Sequence, residues 1–181
     1  MAVPPDDTGT APLPIVAPIV EAPWSADFIA QALEVFIVAN GSAGLANLRP
    51  VHASSLRLAM AVGREPADVV VSAVSRYGLT PLVVHSTSWR SEPGRIVLSY
   101  IAAVQPPGTL SPFLSEDPIG RSDLARGEAT AAPTSIGTLQ VLEHALRHLS
   151  WLVRDDPAVA GALADWGPAL DDYVPEPFRN L

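Results

Sequence analysis

The sequence predicts an α+β fold: a small antiparallel sheet covered by helices, with a disordered arm in front and a helical pair at the C-terminus. Three observations carry this. Residues 82–89 and 95–105 are extended, apolar runs joined by Ser91-Glu92-Pro93-Gly94, the pattern of a hairpin with a four- to five-residue loop. Residues 66–77 begin with Pro66, carry Asp68 in the first turn and meet Gly78, the usual punctuation of a helix. From Thr134 or Ser135 to about Arg154, the apolar set Leu139, Leu142, Leu146, Leu149 and Val153 recurs at spacings of three and four, which makes one buried helical face. With 181 residues, 48% hydrophobic and 17% charged, the chain has enough apolar material for one core.

In chain order, residues 1–23 hold six of the nineteen prolines, and proline fixes φ and pushes its predecessor toward extended backbone. They read as a disordered arm, leaving 24–181 as a single domain. Order is expected from Trp24, with Ser25 as a helix N-cap and Trp24 stapled on Ile29. That helix runs from Ala26 to Asn40-Gly41, although Val35-Phe36-Ile37-Val38 suits a strand equally well. Between 45 and 62, Leu56, Leu58 and Met60 alternate as in a strand, while the surrounding Ala and Arg favour helix. Ile96, Leu98, Tyr100, Ala102 and Val104 share one face of the second hairpin run, with Val97, Ile101 and Ala103 on the other, so this strand is expected inside the sheet and covered on both sides. Residues 105–133 read as a long surface connection. A short helix over 157–166 and an irregular acidic tail punctuated by Pro168, Pro175 and Pro177 complete the chain.

Composition excludes whole classes of chemistry. There is no cysteine, hence no thiol nucleophile, disulfide or thiolate metal site. All eleven basic residues are Arg, which removes a Schiff-base lysine and the phosphate-binding lysine of a P-loop. Formal net charge is −8, with the acidic excess concentrated after residue 110 and no run of Arg. Nucleic acid and anionic membrane are therefore not expected partners. Met1 is followed by no positively charged leader region, and the apolar stretch 11–20 is too short to span a bilayer, so the expected location is the cytoplasm.

Few residues remain for function. His144 and His148 stand four apart on the long helix, facing the same way as Trp151, the spacing of two metal ligands on one helix. No carboxylate completes a zincin pattern, and a third ligand would have to be His52 or His85. On the first hairpin strand His85, Thr87 and Trp89 alternate on one face, with Ser86 and Ser88 opposite. His85 therefore cannot activate its neighbour Ser86. A covering helix is needed over a strand apolar on both sides, so the His85/Trp89 face is expected to meet the His144/His148/Trp151 flank. His85, Thr87, Trp89, His144, His148 and Trp151 are the expected ligand-binding residues, with no metal and no cofactor assigned. Asp155-Asp156 and Asp171-Asp172 are consecutive and read as caps and solvated turns. Gly41-Ser42-Ala43-Gly44 matches neither a dinucleotide fingerprint nor a nucleophile elbow.

The helix ending Ser75-Arg76-Tyr77-Gly78-Leu79, followed by the strands over 82–89 and 96–104, resembles the arrangement after the signature helix of Nudix hydrolases, over about residues 57–104. In that family the helix carries glutamates that bind Mg²⁺ for pyrophosphate hydrolysis. At the corresponding positions this chain has Val71, Ser72, Ser75 and Arg76, so the resemblance implies a domain without the hydrolytic machinery. The expected function is a noncatalytic binding or interaction module, self-associating as a homodimer or holding a small molecule. The alternative is a small-molecule hydrolase or metal-dependent enzyme using His85, His144 and His148.

Overall fold

The computed structural model describes residues 30–60, 63–120 and 137–173. The expected arm, the Ser25 cap with its Trp24 and Ile29 staple, the helix start at Thr134 or Ser135, and Pro175 and Pro177 of the tail lie outside these residues. What is described is α+β, built on a six-stranded mixed sheet.

Where a helix was expected up to Asn40, the chain forms strand β1 (Ala30–Gly41). The reason lies in burial: residues 32–39 are all buried, with Leu33, Val35, Ile37 and Ala39 in one apolar core and Phe36 and Val38 in the other. A helix buries an arc, whereas a run covered on both sides suits an interior strand, and β-branched Val35, Ile37 and Val38 keep their χ1 preference there. Gly41 pairs with Gly44 across a two-residue turn, Gly44 taking φ 100°, a conformation that glycine adopts without penalty. β2 (Gly44–Pro50) then runs back along the second half of β1, and β3 (Leu56–Ala59) pairs antiparallel with its first half.

Helix α1 (Pro66–Ser75) lies where its Pro start and Gly78 stop predict, with Gly78 at φ 76°. It buries Val70, Ala73 and Val74 against the Leu33 face of the sheet. β4 (Pro81–Glu92) and β5 (Arg95–Val104) form the predicted hairpin, but the turn is tighter than expected: Glu92 pairs with Arg95, leaving only Pro93 and Gly94, with Gly94 at φ 72°. β5 is interior, as its two apolar faces require. Its other neighbour is β1, paired in parallel from Ala30↔Arg95 to Ala39↔Val104. The expectation of an antiparallel sheet is thereby corrected. The hairpin docks with β5 inward because β4, carrying His85, Ser86 and Ser88, would bury polar side chains in that place.

The long connection after β5 contains a further strand that composition concealed, β6 (Leu114–Pro118), antiparallel to β2. The sheet order is β4-β5-β1-β2-β6, with β3 beside β1. Helix α2 (Thr138–Asp155) covers the face opposite α1, burying Leu142, Ala145, Leu146 and Leu149 on Phe36, Val38, Ile101 and Ala103. One member of its apolar set is reassigned: Leu139 is 51% exposed, whereas the polar Ser150 is buried. The helix expected over 157–166 is shorter, α3 (Pro157–Ala162), capped by the Asp156 carboxylate, and the tail expected to be irregular opens with a further short helix, α4 (Gly167–Leu170). Leu163, Trp166 and Leu170 close the core between them.

Candidate functional site

The expected meeting of β4 with the flank of α2 occurs at His85. This residue pairs with Ile101, a member of the α2-side core, and so points toward α2. Its ring lies 6.1 Å from that of His148, which in turn stands edge-on to His144 at 4.6 Å and to Trp151 at 6.4 Å between centroids. Four of the six expected residues thus converge. Trp151 remains 42% exposed, which places the cluster at the protein surface.

Thr87 and Trp89 do not join them. The strand carries a β-bulge between Ser86 and Ser88, so the alternation that puts His85, Thr87 and Trp89 on one face is broken. Thr87 is buried, and its hydroxyl donates to the Ser99 carbonyl at 3.3 Å. Beyond the bulge Trp89 pairs with Leu98, which packs on the α1-side core, so the indole belongs to the opposite face and is 68% exposed. His52, the other candidate third ligand, is exposed at the turn after β2 with φ 69°. Among the described residues no group of three or more His, Asp or Glu side chains is arranged to hold a metal ion.

The environment of the His85 and His148 rings favours their neutral forms. Burial pushes His85 below its ordinary value, and burial followed by the proximity of His144 and His85 does the same to His148. The His148 Nδ1 is enclosed without a hydrogen-bond partner, as are the nearby Arg147 Nε and Ser150 Oγ. A histidine with a depressed folded value contributes stability that is whole above the unfolded value, about 6.5, and is lost as pH falls through the lower folded value. The urea midpoint is therefore expected to fall as pH is lowered from about 7.5 to 5, and H148Q is expected to flatten that dependence. An equally steep profile in the variant would place the titration elsewhere.

A second polar constellation lies on the same face of the sheet, at the hairpin end. Glu34 is only 1% exposed, and it accepts from Ser55 at 3.0 Å, from Arg57 at 2.9 Å and from Arg90 at 2.5 Å. Glu92 accepts from Arg57, Arg90 and Arg95 at 3.1, 3.0 and 2.9 Å. Burial opposes ionisation of Glu92, but the three guanidinium groups prevail and hold its carboxyl below the usual range. Sequence reasoning missed this network. Its one legible sign was Glu34 as a lone charge in an apolar run, which demands a partner that only the pairing of β1 with β3 and β5 supplies.

Chemically, the two constellations differ. The arginines and glutamates satisfy one another, whereas the histidine cluster keeps an unpaired ring nitrogen. Val71, Ser72 and Ser75 lie on α1, with Arg76 at its C-cap. No helix among the described residues is long and apolar enough to cross a membrane. No protein-family model matches the sequence, and no curated protein matches it.

Proposed function

We propose that the chain is a noncatalytic binding or interaction module of a soluble cytoplasmic protein, with its contact site on the His85, His144, His148 and Trp151 surface. The observation that carries this reading is the unpartnered Nδ1 of His148 within a surface cluster formed with His85, His144 and the exposed Trp151. A buried nitrogen without a partner costs stability unless something supplies the missing hydrogen bond, and a neutral ring offers a donor on one nitrogen and an acceptor on the other. A nucleophile or a metal would need an orienting carboxylate, and among the described residues no three His, Asp or Glu side chains are grouped to hold a metal ion. The resemblance to Nudix hydrolases adds to the noncatalytic reading, because Val71, Ser72, Ser75 and Arg76 stand where that family has its metal-binding glutamates.

Elemental analysis and light scattering of the purified full-length chain test this, together with H148Q. The expected result is a metal-free protein of dimeric mass whose H148Q variant keeps its fold and dissociates. A stoichiometric metal that H148Q releases would overturn the reading in favour of the metal-dependent enzyme. A monomer of the same mass with and without the substitution would remove self-association from this surface.

A further inference from the structure

At the N-terminal end of α2, ahead of the histidines, the sheet and the helix line a partly open cavity of about 160 Å³. Its walls come from β1, β2, β6 and the first turns of α2: Phe36, Ile119, Leu139 and Leu142 supply apolar surface, and Asn47 supplies an amide. Arg49 and Asp117, ion-paired to each other, stand in the wall beside Asn47. Ser54 and Thr138 meet through their hydroxyls at 3.4 Å and close one side.

Asn47 is the informative residue. It is 8% exposed, its backbone is held between Val38 and Asp117 in the sheet, and its Oδ1 has no hydrogen-bond partner. Buried amide oxygens are almost always paired, and an apolar cavity of about 150 Å³ is large enough to take up benzene. The terminal torsion of an asparagine is soft, so the amide can turn its oxygen toward a guest without moving the strand. We propose that this cavity is a binding site for a small molecule with a benzene-sized ring and one hydrogen-bond donor, a phenol-like compound whose hydroxyl donates to Asn47 Oδ1 while its ring packs on Phe36 and Leu142. The site is independent of the histidine surface.

Methyl-resolved NMR of the full-length chain, titrated with phenol and with toluene, tests the proposal. Phenol is expected to shift the Ile119, Leu139 and Leu142 methyl signals saturably, and toluene, of the same shape but with no donor, to bind roughly three- to tenfold more weakly. N47L should erase that preference. L139W places a large ring at an exposed wall position and should abolish uptake of both compounds, which keeps the test decisive where N47L does not fold. H148Q should leave phenol uptake unchanged. Absence of saturable shifts with phenol, equal affinity for the two rings in the unaltered protein, or undiminished uptake by L139W would each overturn the site.

Discussion

Replacing Glu34 by alanine is expected to destabilise the protein by about 3 kcal/mol, measured as a loss in urea unfolding free energy. The carboxylate is nearly inaccessible and is held by two guanidinium groups and a hydroxyl, so its removal leaves Arg57 and Arg90 to share the Glu92 carboxylate. The estimate takes the lower end of the range for breaking buried pairs, because the Arg57 and Arg90 side chains keep 28% and 21% of their exposure and recover part of their hydration. Replacing Glu34 together with Arg57 and Arg90 by apolar residues of similar volume is expected to restore most of that loss, since a well-packed apolar substitute for a buried ion cluster is often neutral. A midpoint for E34A equal to that of the unaltered protein would show that the network adds nothing to the fold.

Leu146→Ala and Leu149→Ala are each expected to cost about 2–5 kcal/mol. Both side chains are fully buried between α2 and the sheet, beside Phe36, Ile101 and Leu163. Truncation removes transfer free energy and leaves a void that the rigid sheet below closes only partly. Thermal and urea unfolding of the single variants provide the measurement. The unfolding free energies of the two should not simply add in the double variant, because they share neighbours in one layer. Near-neutral midpoints would mean that α2 is not seated on the sheet through this face.

The readable part of the fold is the part whose signals are local. Pro66 and Gly78 bracket α1, Gly94 marks the hairpin turn, and the three- and four-residue spacing from Leu142 to Leu149 specifies the buried face of α2. What escaped was decided at long range. Val35-Phe36-Ile37-Val38 is equally compatible with a helix or a strand until β2, β3 and β5 supply partners on both edges and α1 and α2 cover both faces. β6 has a polar, Pro-ended sequence that no local rule marks as a strand, and it is defined only by its pairing with β2. The same holds for the site. His85 could be placed against His148 because a two-sided strand needs a covering helix, but Trp89 was assigned to the wrong face because one extra residue at Thr87 reverses the alternation. Asn47 and Glu34 carried no motif at all.

The parallel pairing of β1 with β5 also bears on how the chain reaches this state. Among the described elements the central strand is the first to be made, yet its long partner begins only at Arg95, after β2, β3, α1 and β4. Until then one complete edge of the most apolar strand has open amides and carbonyls, and α2, which shields one of its faces, comes later still. Pairings between strands so far apart in sequence close slowly, and exposed strand edges are where nascent chains join one another. Growth temperature and chaperone supply should therefore govern the yield of soluble protein more strongly than the stability of the finished fold does.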